Sequence, residues 1–260
     1  MLIFVTPVAE SAFMPDGGER LVVVRKPPRH SVVVRVTHWM HTLCFLVLIL
    51  SGIAILLAHP RLYWGEAGGL GGPSLIDLPL PFVLEIPIRG PGRYLHFLAA
   101  WVSVGTGLIY IVAGMASRHF QKNVLPRPRE IKIGAISRVV LNHLAFKPAN
   151  EEELARYNVL QRLSYSMVVF ILFPLVIWTG LAMSPAVTSV FPVTVTIFGG
   201  HQSARTVHFF VACSLLLFLV VHVGMVCQTG IKRRMKPMIV GNDGPSTCRL
   251  PVAREQDPDL

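Results

Sequence analysis

The chain has 260 residues, of which 52% are hydrophobic and only 15% are charged, with a mean hydropathy of +0.56. This composition is too apolar for a soluble domain of this length and predicts a protein that resides in a bilayer. A formal charge of +10 would suggest nucleic acid in a soluble protein, but membrane proteins collect Lys and Arg in particular loops. We therefore expect no nucleic-acid partner.

Four apolar runs are long enough to cross the hydrocarbon core as helices, which takes about 20 residues each. They cover roughly residues 36–58, 93–116, 163–185 and 204–228. The prediction is an all-α fold, a transmembrane four-helix bundle within residues 31–230. We expect a loosely ordered extension at 1–30 and a tail at 231–260 that is first basic and then polar.

The sequence shows neither the pattern of a targeting signal nor a cysteine spacing typical of disulfides or zinc sites. The N-terminus lacks a basic start followed by a long apolar core, so no cleaved signal peptide is expected. The four cysteines form no CxxC pair, which predicts neither a disulfide framework nor a zinc site.

Lys and Arg are distributed unequally across the predicted bilayer. Five precede the first run, nine lie between the second and third, and six follow the fourth. Only four lie on the opposite side: Arg61, Arg89, Arg93 and Arg205. The positive-inside rule then places both termini and the loop 117–160 in the cytoplasm, with the bacterial inner membrane as the expected location.

The fourth run carries two histidines, His208 and His222, fourteen residues apart. In a helix this spacing separates them by about 21 Å in depth and leaves them within about 40° of the same face. One face of this helix therefore offers imidazole ligands at two depths.

Two other runs supply one histidine at each of those depths. His96 lies near the outer start of the second run, level with His208. His38 lies near the cytoplasmic start of the first run, level with His222. Two bis-histidine sites stacked across a membrane are what two haems b require, so these four residues are the predicted axial ligands. Small residues such as Gly52 and Gly107 would make room for a flat macrocycle.

Two further histidines compete for these roles. His41 lies three residues after His38 on the same side of the first run, and His201 lies seven residues before His208. A rival function of another class also remains, a proton- or solute-translocating protein with a histidine relay and no haem. The absence of Asp and Glu from all four runs argues against it.

Three arginines lie one turn nearer to water than a predicted ligand. Arg35, Arg93 and Arg205 each precede a histidine by three residues, and such a residue shares the helix face of its histidine. Because the guanidinium group matches a carboxylate, we predict that they bind haem propionates. The alternative is that they extend to water at helix ends.

The segments RVTHW, GRYLHF, RYNVLQ and VHFFVACSLLLFLVVHV occur in this order within residues 31–230. In sequence and spacing they resemble the di-haem cytochrome b membrane subunits of formate dehydrogenases and nickel–iron hydrogenases, a bacterial cytochrome b561-like family. The resemblance implies that the four histidines named above bind two haems b. It also implies an electron-transfer and anchor subunit rather than a catalytic subunit.

The same resemblance suggests a quinone site and a partner. Asn158 and Gln161 fall on the family positions that bracket a quinone, menaquinone or ubiquinone, beside the cytoplasmic haem, although Leu160 replaces the glycine that is common there. The segment GGHQSARTVHF resembles anchors of molybdopterin oxidoreductases. The expected partner is therefore a molybdopterin-containing oxidoreductase on the outer face, with electrons passing between it and the quinone pool.

Overall fold

The computed structural model describes residues 9–12, 19–24, 30–66, 73–78, 89–126, 160–228, 230–241 and 246–251. Within them, four helices are long and apolar enough to cross a membrane. These are α1 (Val32–Ala58), α2 (Arg89–Ala116), α3 (Leu160–Ala182) and α6 (His201–Gln228). The predicted all-α fold with four transmembrane helices is confirmed. Each helix begins three or four residues earlier than predicted, and all but α3 end at the predicted residue.

Shorter elements lie before, between and after these helices. Among the described residues, a π-helical segment (Phe120–Val124) follows α2, two single-turn helices join α3 to α6, a nine-residue helix follows α6, and five short strands form two antiparallel sheets. The helices are α4 (Pro185–Thr188), α5 (Val193–Thr196) and α7 (Ile231–Ile239). The strands are β1 (Ala9–Ala12), β2 (Glu19–Val24), β3 (Arg61–Leu62), β4 (Ile76–Asp77) and β5 (Ser246–Pro251).

The chain divides into two compact units. The first joins the two ends of the sequence, Met1–His38 and Gly224–Leu260. The second is Trp39–Val223, which contains most of the helical bundle.

In the first unit, the terminal segments pair as strands. The sheet has the order β1-β2-β5, and Val22 of β2 lies opposite Cys248 of β5. Two segments of the extension expected at residues 1–30, β1 and β2, are strands. Hydropathy alone could not reveal this pairing, since the partner strand lies more than 200 residues away in sequence.

In the second unit, the bundle buries few side chains inside the protein. Val168, Val211 and Leu215 form a core between α3 and α6, against which Phe45 of α1 packs. Many large apolar residues point outward instead, as shown by Leu50 at 70% exposure. Such outward apolar surface is expected where lipid rather than water is the surrounding solvent.

Helix α3 contains a wider turn within its membrane span. Residues Val168–Leu172 are π-helical, and the Phe173 N–H donates to the Val168 carbonyl. Pro174 follows directly, and a proline lacks the N–H that an α-helix requires and clashes with the carbonyl four residues earlier. The wider turn accommodates both effects of this proline.

The segment that follows α1 docks on the first turns of α6. The Gly65 N–H donates to Ser203 Oγ at 2.7 Å, and Thr206 Oγ1 donates to the Tyr63 carbonyl at 2.7 Å. Ser203 and Thr206 are completely buried, as is Leu62 of β3 to within 1%. A buried polar group must be paired, so these bonds fix the segment to the helix end.

The docking requires glycine at residue 200. A β-carbon at Gly200 would lie 2.5 Å from the Gly65 backbone, and its φ of +129° disfavours any other residue. Its neighbour Gly199 has φ +74°, but a β-carbon there would meet nothing within 4 Å.

We predict that Gly200→Ala destabilises the protein more than the matched control Gly199→Ala. Both variants strain the backbone, but only the first forces the docked segment away from α6. The added cost is expected to be about 1–3 kcal/mol, typical of overpacking. Thermal unfolding of the two variants in detergent would measure it. Equal melting temperatures would show that the contact of Gly200 with Gly65 does not matter for stability.

Candidate functional site

His96 and His208 face each other in the second unit. Their ring centroids lie 6.4 Å apart, with the ring planes inclined at 62°. His96 lies in α2 and His208 in α6, so the pair joins two different membrane helices. The structure therefore brings together the two histidines that were matched at the outer depth.

Each of these imidazoles is hydrogen-bonded to a hydroxyl on another helix. Ser51 Oγ of α1 lies 2.9 Å from His96 Nδ1, and Thr179 Oγ1 of α3 lies 2.9 Å from His208 Nδ1. Both hydroxyls are buried, at 3% and 0% exposure. Four membrane helices thus contribute one residue each to this cluster, which we call the outer cluster.

The hydroxyls determine which nitrogen carries the proton. Ser51 Oγ donates its single proton to the Val47 carbonyl at 2.7 Å, and Thr179 Oγ1 donates to the Leu175 carbonyl at 2.8 Å. A hydroxyl has one proton, so each oxygen can only accept from the histidine. Nδ1 of both rings is therefore the protonated nitrogen, which leaves Nε2 with a free lone pair, the form that binds a metal.

A glycine follows each hydroxyl and keeps the edge of the imidazole clear. A β-carbon at Gly52 would lie 3.7 Å from His96 Cε1, and one at Gly180 would lie 3.6 Å from His208 Cε1. The next nearest ring atom is Nδ1, at 4.0 Å from such a β-carbon at Gly52 and 3.9 Å from one at Gly180, so each glycine lies against the Cε1–Nδ1 edge of its imidazole. Ser-Gly on α1 and Thr-Gly on α3 thus play the same role for two different histidines.

His208, rather than its competitor His201, belongs to the outer cluster. His201 is the first residue of α6, about 10 Å nearer to the helix end at the usual rise per residue. The ring that faces His96 belongs to His208.

His41 has a similar environment at another level of the bundle. Its Nδ1 lies 3.0 Å from Ser103 Oγ of α2, and a β-carbon at Gly107 would lie 3.7 Å from its ring. The ring next to it belongs to Phe173, at 5.5 Å between centroids. The site of His41 thus includes a hydroxyl and a glycine, with a phenyl ring as its aromatic neighbour.

The two histidines matched at the inner depth fall in different units. His38 lies in the first unit, in the second turn of α1. His222 lies in the second unit, stacked on Phe218 of the same helix at 5.7 Å and with the Tyr165 ring of α3 edge-on at 6.3 Å.

The three arginines make separate contacts at the helix ends. Arg35 Nη1 donates to the Ile239 carbonyl at 2.9 Å, and Arg205 Nη2 donates to the His59 carbonyl. The Arg93 guanidinium lies over the Phe97 ring at 5.5 Å. A guanidinium has five N–H donors, so the bonds of Arg35 and Arg205 leave several of them for an anion.

Of the two amides predicted to bind a quinone, the structure describes one. Asn158 lies outside the described residues. Gln161 lies in the first turn of α3 and is half-buried, one turn before Tyr165.

The chain matches the family described as prokaryotic cytochrome b561 over residues 29–241, a range that includes all four membrane helices. The chain belongs to this family. A relative from Azospira oryzae, provisionally named protein-methionine-sulfoxide reductase subunit YedZ1, is 29% identical over 218 residues. The alignment covers 82% of this chain and 96% of the relative. No solved structure matches the chain.

This family assignment confirms the resemblance found in the sequence. The protein is an integral membrane protein of a cytochrome b family, and this membership implies a b-type haem and a role in electron transfer.

The outer cluster fits a haem iron. Two imidazole–metal bonds of about 2 Å each, extended by the half-width of each ring, place the ring centroids roughly 6 Å apart. The observed separation is 6.4 Å, and both rings have Nε2 available. Among the described residues no three His, Cys, Asp or Glu side chains cluster as metal ligands. A haem iron needs only two ligands from the protein, since the porphyrin supplies four.

Sequence reasoning missed Ser51 and Thr179, although a signal was present. Each is a hydroxyl residue directly before a glycine inside an apolar run, as SG and TG. Nothing in the sequence, however, shows which histidine a hydroxyl on another helix will meet.

If His208 binds a haem iron, we predict that Thr179→Val raises the midpoint potential of that haem. The variant removes the hydroxyl that accepts a hydrogen bond from Nδ1–H. The imidazole then donates less electron density to the iron, so the ferric state is less stabilised. The expected change is on the order of tenfold in the ratio of reduced to oxidised haem, or about 59 mV. A redox titration followed by visible absorbance measures it.

The control variant is Thr179→Ser, which keeps the hydroxyl and should keep the potential. If Thr179→Val and Thr179→Ser titrated alike, the hydroxyl would have no influence on the iron.

Proposed function

We propose that this chain is the membrane electron-transfer subunit of an oxidoreductase. It holds two haems b between its helices and passes electrons between a catalytic partner and the membrane quinone pool. The observation that carries this proposal is the outer cluster, in which His96 and His208 face each other with their Nδ1 atoms fixed by hydroxyls.

The outer cluster supports electron transfer rather than chemistry on a substrate. His96 and His208 would hold the haem iron, and an iron held by two histidines would have no open position for oxygen or substrate and would supply electron transfer. When bound, the haem supplies a one-electron ferric/ferrous couple. The chain holds it rigidly, since four helices fix the two rings and their hydroxyl partners, and an apolar surrounding excludes water.

We propose His38 and His222 as the ligands of a second haem b. The support is their sequence position, at the depth opposite to that of the outer cluster on helices α1 and α6. Arg35, Arg93 and Arg205 are proposed as partners of the haem propionates. The donors that Arg35 and Arg205 keep beyond their backbone contacts are compatible with this role.

We propose that a quinone, menaquinone or ubiquinone, binds near the start of α3 through Asn158 and Gln161. Gln161 lies four residues before Tyr165 and so shares its helix face. The Tyr165 ring contacts His222, so this face of α3 is the one directed toward His222. An amide at this position could donate a hydrogen bond to a quinone carbonyl.

The proposed partner is a catalytic subunit of molybdopterin type. The relative from Azospira oryzae is named as a subunit of a protein-methionine-sulfoxide reductase, which supports a partner that acts on an oxidised protein side chain. We place the partner on the outer face, both termini in the cytoplasm and the chain in the bacterial inner membrane, on the basis of the Lys and Arg distribution.

A visible spectrum of the purified full-length protein tests the core of this proposal. We expect a Soret band and split α and β bands after dithionite reduction, with two haems per chain. A colourless protein would contradict it and would favour the histidine relay without haem.

We predict that the four ligand variants lose haem in pairs. His96→Ala and His208→Ala should each remove the same spectral component, because the two rings bind one iron. His38→Ala and His222→Ala should each remove the other. Redox titration of the four variants separates the components, and a component lost from both His96→Ala and His38→Ala would show that the pairing is wrong.

We predict that Gln161→Leu slows electron exchange with a quinol analogue about five- to thirtyfold while both haems remain assembled, since a buried hydrogen bond to a ligand typically contributes about 1–2 kcal/mol. Stopped-flow absorbance of the haems measures the rate. The control is Gln121→Leu, an exposed amide in the π-helical segment Phe120–Val124 that follows α2. Equal rates in the two variants would place the quinone elsewhere.

A further inference from the structure

Helix α7 begins directly where the last membrane span ends. Helix α6 ends at Gln228, and α7 starts at Ile231 after Gly230, which has φ 93° and ψ 104°. This backbone conformation is open only to glycine at low cost, so α7 is a separate helix and not a continuation of α6. Because α6 spans the membrane, α7 begins at the boundary between lipid and water.

The residues of α7 divide into an apolar and a basic arc. At 100° per residue, the four apolar side chains fall within about 100° of the helix circumference, and the basic residues and the buried Pro237 occupy the remainder. The apolar positions are Ile231, Met235, Met238 and Ile239. The basic positions are Lys232, Arg233, Arg234 and Lys236. The helix contains no acidic residue.

Part of the apolar arc is exposed, because no other described residue covers it. Ile231 is 52% exposed and Ile239 is 59% exposed. Exposed to water, these side chains would be unfavourable, whereas the acyl chains below the headgroups would bury them.

The far end of α7 is held at the same boundary. Arg35, in the first turn of α1, donates from Nη1 to the Ile239 carbonyl at 2.9 Å. Gly241 has φ +92°, and a β-carbon there would lie 3.0 Å from the Arg35 guanidinium. The first turn of a membrane helix lies near the bilayer surface, so α7 is fixed near that surface at both ends.

We propose that α7 is an interfacial helix that binds the anionic headgroups of membrane phospholipid. Its basic residues contact the headgroup phosphates, while Ile231 and Ile239 insert among the upper acyl chains. A polybasic segment at a membrane end is attracted to anionic lipid by electrostatics, and an adjacent apolar arc adds burial. This surface is independent of the haems and of the proposed electron transfer.

The test uses the full-length protein in nanodiscs of phosphatidylcholine alone or with one third phosphatidylglycerol. Hydrogen–deuterium exchange of the amides of residues 231–241 is measured in both. We expect the anionic lipid to slow exchange at least fivefold, since each basic residue near an anionic surface contributes a factor of about five. The effect should disappear in 500 mM NaCl.

The variant replaces all four basic residues of α7 by Gln, and its control replaces Lys122, Arg127, Arg129 and Lys132 by Gln. Only the α7 variant should lose the response to phosphatidylglycerol, although both lose the same charge. Exchange of the unmodified protein that is equally slow in both lipids would show that α7 is held by the protein alone. Exchange that is equally fast in both would show that it is not bound to the membrane surface. Either result overturns the proposal, and the salt measurement on the unmodified protein decides it even if the variant does not fold.

Discussion

The hydrogen bond from a histidine Nδ1 to a buried hydroxyl is the interaction on which the candidate site depends. Inside a membrane span no bulk water can satisfy a polar side chain, so Ser51 and Thr179 each donate to a carbonyl of their own helix. Their oxygens are then obliged to accept. The protonation of His96 and His208 follows from this, and so does the availability of both Nε2 atoms for one iron.

The same interaction links the helices of the bundle into two couples. The hydroxyl and glycine of α1 serve a histidine of α2, and those of α3 serve a histidine of α6. The contact of His96 with His208 then joins the couples. In lipid the hydrophobic attraction between apolar helices is weak, so helices associate through close packing and hydrogen bonds. The contacts that build the site therefore also hold the helices together.

The sequence predicts those features that depend only on residue spacing within one helix. Hydropathy located the four spans, and the spacing of His208 and His222 gave two depths on one helix face, because both follow from the geometry of a single helix. The sequence could not predict the partners of Ser51 and Thr179, the docking of Gly65 on α6, or the pairing of β2 with β5. These contacts depend on which elements become neighbours, and in a single sequence no periodicity encodes that.

His41 shows which feature of the outer cluster distinguishes a ligand. It too has a hydroxyl at Nδ1, Ser103, and a glycine beside its ring, Gly107, so these features alone do not mark an iron ligand. A buried imidazole needs a hydrogen-bond partner whether or not it binds metal, and a small residue gives any ring room. The aromatic neighbour of His41 is the ring of Phe173, which has no lone pair to offer an iron. His96 instead faces a second imidazole at the separation that one iron between them requires, and this opposition of two rings is what supports the assignment.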